Sequence, residues 1–453
     1  MRLCQASIAA LILMTVAFSA FARMTPGMIT ASKIEYPATL TYAASNPQDY
    51  PRVFHTAGDI RARRQEFPTS PMIKNFLQGR ARYVAPIMEM DDDQLRGLVP
   101  PVGQPVVYGL GMSLDPDNVI LRWAGYENPR FVMGKGNVVY PNETHPDDGS
   151  GWKGPGNQKC YFHARAAGFA YEWLEWQLPA LADCYAITGE QRYAHAAAVL
   201  LDAIAPCYAA DVRGPLDYPI AKGDENCGGR LNRPYFQVAR ALMNFVWCFE
   251  AIMPSGELGK PSFTAPGKTM FDNIAKNILF NGGIYCLGFA LEGTQLINGH
   301  ADYLRGTASV GVALGIPEMV EVLLDQALGL QAMLGVTIDR DGFYVESSHS
   351  YGLHTFDMYM DLADMLDAAK RQGIPGAEPL YDEPAFFNLI FRYFDRAEVG
   401  GHLPTDGDNV NGPDKQVTIP TNIRAPRTGK STKNYAMDKQ LRDAWYLWSR
   451  VRK

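Results

Sequence analysis

From residue 164 onward the chain is written in helical periods. Apolar residues recur at the three-to-four spacing of a helix face through residues 165–187, 190–205, 234–253, 267–280, 301–314, 317–334, 350–371, 383–398 and 436–450. The punctuation between them is brief, as in Thr188-Gly189 and Gly315-Ile-Pro317. Strand patterns are confined to residues 342–345 and 417–419, and no GxGxxG follows a strand. A helix with one apolar stripe must bury it against another element, and a short turn makes the next helix an antiparallel neighbour. The chain is therefore expected to be all-α, built of successive antiparallel helix pairs. Pattern alone leaves a closed ring of pairs and an open solenoid both standing.

Ahead of the helices the text is different. Residues 23–51 are punctuated by proline and read as an extended strap along the surface. Residues 59–67 and 72–83 read as short helices parted by Pro68 and Pro71, and Asp91-Asp-Asp93 as a solvated helix start. Residues 100–155 are rich in Gly, Pro, Asn and Asp, the composition of long loops. Gly134-Lys-Gly136 and Asp147-Asp-Gly-Ser-Gly151 fall short of phosphate-loop or calcium-loop patterns. The expected organisation is one domain over residues 23–453: a strap with short helices and loops to 160, the main helical pairs over 161–400, and a closing loop and terminal helix over 401–453.

With 47% hydrophobic residues the chain has ample material for a core. A net charge of -6 argues against nucleic acid as a partner, and an acidic ligand would have to be drawn by a local basic pocket. Arg2, the apolar run from Ile8 to Phe18 and the small residues of Ala20-Phe21-Ala22 read as a signal peptide over residues 1–22, cleaved before Arg23. A periplasmic or secreted location follows, and no second run is expected to span a membrane. Cys160, Cys184, Cys207, Cys227, Cys248 and Cys286 remain after cleavage. Cys160 and Cys227 sit in loops and are the candidate bridge; Cys184, Cys207 and Cys248 lie in helical periods and read as buried thiols. No spacing suits a metal, and no cofactor is implied.

Two stretches carry chemistry. Leu296-Ile-Asn-Gly-His-Ala-Asp-Tyr-Leu-Arg305 opens one helix, and Asp341-Gly-Phe-Tyr-Val-Glu-Ser-Ser-His-Ser-Tyr-Gly-Leu-His354 leads into another. Asn298 at a helix entrance has a plain reading as an N-cap. His300 can be a satisfied structural histidine, and Tyr351 a packing tyrosine. Tyr351 and His354, three residues apart, share a helix face. If both entrances open on one cleft, Asn298, His300, Tyr351 and His354 together can neutralise an anion and move a proton. Arg305, Asn232, Arg233 and His402 are further candidates for holding an acidic ligand, against the reading that they cap helices, pair on the surface or shape a turn. Trp173 and Trp176 could stack on sugar rings but more simply pack in the core.

In order and spacing these pieces are similar to the α/α-toroid polysaccharide lyases of the heparinase II/III-like and alginate lyase group. Leu181-Ala-Asp-Cys-Tyr-Ala-Ile-Thr-Gly-Glu-Gln-Arg-Tyr193 resembles their helical hairpin, Asn298-Gly-His300 with Tyr303-Leu-Arg305 their Asn/His helix, and Asp341-Gly-Phe with Glu346 and Tyr351 their tyrosine segment. Gly401-His-Leu-Pro-Thr-Asp-Gly-Asp408 is similar to a loop that follows the toroid. The resemblance spans roughly residues 171–408 and implies an (α/α)7 toroid. Many of these enzymes carry a large β-sandwich after the toroid. Only residues 409–453 follow here, which is most like the single-domain glucuronan and alginate lyases of polysaccharide lyase family 38.

The activity implied is β-elimination in a uronic-acid polysaccharide. The C5 proton is removed, the C4 oxygen leaves, and donors on the neighbouring carboxylate stabilise the charge that develops there. The resemblance implies Asn298 and His300 at that carboxylate, with His300 also the candidate base. It implies Tyr351 as the acid, or as acid and base together, and His354 as a group that orients Tyr351 or touches a neighbouring sugar. A tyrosine base needs positive charge or donors nearby to bring its pKa down from about 10. Two other classes stay open: a toroid glycoside hydrolase, with Asp341 and Glu346 or Asp406 and Asp408 as its carboxylate pair, and a carbohydrate-binding protein without catalysis.

Overall fold

A computed structural model describes residues 26–104, 106, 119–123, 138–154, 159–210, 231, 237–293, 295–339, 344–345 and 349–380. Within them α1 is Pro26–Ala31, α2 Ala57–Glu66, α3 Pro71–Val84 and α4 Asp92–Gly97. Two short pairings follow, β1 (Val119–Leu121) parallel to β2 (Val138–Tyr140), and β3 (Trp152–Lys153) antiparallel to β4 (Lys159–Cys160). The main helices are α5 (Phe162–Thr188), α6 (Gln191–Ala210), α7 (Gln237–Ile252), α8 (Met270–Glu292), α9 (Asn298–Leu314), α10 (Glu318–Leu324), α11 (Leu330–Thr337) and α12 (His349–Arg371). The fold is all-α, as expected, with no large β-sandwich among the described residues. The expected helices over 383–398 and 436–450, the strand over 417–419 and Cys227 lie outside them.

Local chemistry explains most helix limits. Thr56 and Asp59 form a reciprocal capping box on α2, as do Asp91 and Gln94 on α4. Ser70 accepts from Ile73 N with Pro71 in the first turn of α3. Gly189 ends α5 with φ 74°, the left-handed conformation that glycine adopts without strain. The turn over residues 147–151 is closed by Asp147, whose carboxylate accepts from Gly149 N, Gly151 N and His163 N. That loop is bound to its own backbone.

Four expectations are corrected. Residues 26–51 are not extended throughout: they include α1, which packs on α8, and they bury Ala31 and Tyr50. The helix expected over 267–280 runs on to Glu292 through a π-helical stretch, Ala275–Phe280. At 23 residues α8 is thus long and apolar enough, by length and composition, to cross a membrane, although 56% of its apolar window is buried inside the protein. The single helix expected over 317–334 is two. Asp325 accepts from the backbone N–H of Ala327 and Leu328, bonds that compete with helix continuation, and α11 starts after Gly329. Finally, α9 begins at Asn298, with Ile297 as its N-cap.

The main helices pack into one contiguous core. Where α9 crosses α7 and α8, Gly306 lets the backbones close: a methyl there would sit 2.5 Å from Cys286 Sγ and 3.0 Å from Ala239 Cβ. The polar contacts set direction. Tyr50 donates to Ala313 O at the C-terminal end of α9, and Glu250 at the end of α7 accepts from Arg52 N and Val53 N. Arg371 at the end of α12 donates to Arg52 O, and Arg64 donates to Tyr185 O and Ala186 O at the end of α5. The C-terminal ends of α5, α7, α9 and α12 therefore gather on one side, under residues 50–64. Their N-terminal ends gather on the other.

Candidate active site

The entrance of α9 lies on that second side. Helix N-termini leave backbone N–H groups without helical partners. Here Asn298 N–H donates to the hydroxyl of Tyr344 at 3.1 Å, and Ile297, the N-cap, makes no side-chain cap. The Asn298 side chain is thus not spent on capping. It is half-buried and makes no hydrogen bond with a described residue.

One and two turns further along the same face of α9 stand Asp302 and Arg305, and they anchor a charge network with α7 and α12. Asp302, fully buried, accepts from Arg240 Nε at 2.8 Å and pairs with its terminal nitrogen at 2.7 Å. Its other oxygen pairs with Arg305 at 2.9 Å, and Arg305 reaches Asp361 at 2.7 Å. Two cations thus meet two carboxylates, the balance that makes burial of Asp302, Arg305 and Asp361 tolerable, while Arg240 stays partly exposed. Arg305 was expected to bind an acidic ligand. It is instead 8% exposed with its charge committed to Asp302 and Asp361.

His354 joins this network from α12. Arg240 lies 2.9 Å from His354 Nε2, and arginine only donates, so Nε2 is the acceptor and the ring proton sits on Nδ1. Burial first, then the Arg240 cation, push the His354 pKa down to about 4, against the opposing pull of Asp302. The ring is neutral at ordinary pH. Tyr351 stands one turn nearer the entrance of α12, on the face that carries His354. Its side chain lies outside the described residues, as do Asn232, Arg233, His402, Asp341, Glu346, Asp406 and Asp408.

His300 is placed differently. It follows Asn298 by two residues and so points to another side of α9 from Asp302. Its Nε2 donates to Leu328 O at 2.7 Å, tying α9 to the turn before α11. Burial lowers its pKa, and the ring is 4% exposed. These are the marks of a satisfied structural histidine. Trp173 is buried, whereas Trp176 is 41% exposed on α5.

Sequence reasoning missed Arg240, Asp302 and Asp361. Asp302 and Arg305 carried a signal, an acid three residues before a base on one helix. Arg240 sits in an otherwise apolar helical period with nothing local to mark it.

A cavity of about 440 Å³ opens on the opposite side, under residues 53–66, and its lining includes His55, Asp183, Trp247, Asp364, Asp367 and Arg371. Asp183 there is fully buried. It accepts from Trp247 Nε1 at 3.0 Å and pairs with Arg80 at 2.9 Å; burial holds its pKa up to about 7. Among the described residues no group of three or more His, Cys, Asp or Glu is placed to hold a metal ion.

These features define an all-helical protein with a polar cluster at the N-terminal ends of three parallel helices. Among solved structures the chain is similar to alginate lyase A1-III from Sphingomonas species A1, at 16% identity and TM-score 0.40 over 81% of this chain and 82% of that one. It is also similar to a histidine-to-alanine variant of alginate lyase A1-III in its apo form, at 15% identity and TM-score 0.39 over 80% of each. No family model matches the sequence, and no curated protein does.

Proposed function

We propose that the protein is a polysaccharide lyase that cleaves a uronic-acid polymer, glucuronan or alginate, by β-elimination. The observation that carries this reading is the Asn298 amide, which bonds no described residue and stands one turn before Asp302 of the Arg240–Asp302–His354 network near the entrances of α7, α9 and α12. An elimination next to a carboxylate needs donors on that carboxylate and a proton carrier beside C5. Asn298 supplies an amide donor and the neutral His354 a ring N–H. Tyr351, one turn from His354, is the proton carrier. Its phenolate takes the C5 proton, the C4–O bond breaks as the C4–C5 double bond forms, and the phenol returns a proton to the leaving oxygen. The Arg240 cation beside His354 favours the phenolate. His300 holds the turn at Leu328. Arg305 positions Asp302, and Asn232, Arg233 and His402 are assigned to flanking sugars. Residues 1–22 act as a cleaved signal, so the enzyme works in the periplasm or outside the cell, where its polymer is.

The hydrolase reading lacks support of this kind. Its candidate pairs, Asp341 with Glu346 and Asp406 with Asp408, lie outside the described residues, and Asp183 in the cavity on the far side is tied to Trp247 and Arg80. The test is a panel of glucuronan, polymannuronate, polyguluronate, hyaluronan and heparin, followed by ultraviolet absorbance of the new conjugated double bond. A rise on glucuronan or an alginate polymer is expected, and Tyr351→Phe should abolish it while leaving the fold and polymer binding intact. New reducing ends without absorbance would mean hydrolysis. Full activity in Tyr351→Phe would remove the tyrosine from the chemistry.

A further inference from the structure

Of the histidines marked by the sequence, His300 and His354 lie among the described residues, and their partners give the two rings opposite protonation patterns. His300 Nε2 faces a carbonyl, which only accepts, so Nε2 keeps the proton and Nδ1 is the bare nitrogen. His354 Nε2 faces a guanidinium, which only donates, so Nε2 is bare and Nδ1 keeps the proton. The difference comes from one residue, Arg240 on α7. We propose that Arg240 is a positioning residue for the elimination: it fixes His354 in the tautomer that points an N–H from Nδ1, making His354 a neutral hydrogen-bond donor to the substrate carboxylate and not a base. The proposal rests on the lyase reading above.

The geometry is over-determined. Arg240 is held by Asp302 through two nitrogens, at 2.8 and 2.7 Å, so its third contact is aimed at His354. Asp302 is held in turn by Arg305, and Arg305 by Asp361. Among the described residues, the charged groups that act on the ring are Arg240 from α7, Asp302 and Arg305 from α9, and Asp361 from α12. Nδ1 of His354 has no hydrogen bond to a described residue. A guanidinium bonded to the far nitrogen polarises the ring and strengthens the N–H on the near one. The arrangement gives a donor whose state does not change across the working pH range. A histidine that titrated near neutrality would lose that constancy.

Protein labelled with nitrogen-15 in histidine is examined by ring-nitrogen correlation spectra, with His354 assigned from His354→Gln. In the wild type Nε2 should be bare and Nδ1 protonated from pH 8 down to pH 5. In Arg240→Met the ring should populate both tautomers and titrate at higher pH, because the cation that lowered its pKa is gone while the carboxylates of Asp302 and Asp361 remain. The variant's kcat on the susceptible polymer should fall roughly 100-fold with a much smaller change in KM. Arg240→Lys, which still donates, should restore the tautomer and part of kcat. A wild-type His354 with its proton on Nε2, or one that titrates near neutrality, overturns the proposal and leaves the lyase reading untouched. An Arg240→Met ring in the wild-type state overturns the role of Arg240. The expected ring states in a protein that eliminates nothing from any uronate polymer would sink the lyase reading itself, and the donor role with it.

Discussion

At the scale of single residues, Asp302 and Asn298 share a face of α9, and the structure separates what each does. Asp302 is the joint of the network, fully buried between two guanidinium groups. Removing one member of a buried set leaves the others as uncompensated charge, which costs about 3–5 kcal/mol. Asp302→Ala should lower unfolding stability by that order in a urea titration, with activity lost as a consequence. The Asn298 side chain makes no hydrogen bond with a described residue, so Asn298→Ala should stay within roughly 0.5 kcal/mol of wild type. Its turnover should nonetheless fall about 10²–10³-fold, the usual cost of losing one donor to developing negative charge. Equal stability losses in the two variants would mean that Asn298 is structural and the site is elsewhere.

Elements show where local pattern is enough and where it is not. Helices α2, α3 and α5 were legible to within a few residues because their punctuation is short-range: Pro68 and Pro71 between the first two, Thr188-Gly189 after the third. The break between α10 and α11 was not, because the Asp325 side-chain turn sits inside an unbroken apolar period. Nor was the site in full. Asn298 and His354 were singled out in the sequence because each is a polar residue near a helix entrance. Arg240 and Asp361 are partners only across space, from helices far apart in sequence. The same holds for the segment under the helix ends. Glu250, fully buried at the end of α7, accepts from Arg52 N at 3.0 Å and Val53 N at 3.2 Å. Burial raises its pKa to about 7, and those two donors pull the other way. Glu250→Gln would turn an amide NH2 toward one of the donors, an unpaired buried contact worth about 1–3 kcal/mol. Urea unfolding should show that loss, with faster amide exchange over residues 50–64. An unchanged midpoint would show that this segment does not depend on Glu250.

For the whole molecule, the histidines set opposing pH limits, and the signs follow from linkage. His300 and His354 have depressed pKa values in the fold, chiefly by burial. As pH falls below about 6.5, the unfolded chain takes up protons that the folded one refuses, so stability drops. For His354 that loss develops down to about pH 4. His195 behaves in the opposite way. Its Nε2 meets Asp92 at 2.8 Å and its Nδ1 meets Glu257 at 2.8 Å, joining α4 and α6 to the turn after α7. Partial burial pulls its pKa down, but the hydrogen bonds to Glu257 and Asp92 outweigh that and leave it raised. Its contribution is complete below about pH 6.5 and is lost as pH rises through the higher folded value. The protein should therefore lose stability on both sides of neutrality, for different reasons. His195→Gln should flatten the alkaline side of a melting-temperature profile and leave the acid side as it was. His354→Gln keeps an acceptor for Arg240 and should soften the acid side alone. If His195→Gln changed the acid limb instead, the bridge between Asp92 and Glu257 would not be held by a charged ring. The two histidines would then have to exchange their assigned places in the pH response.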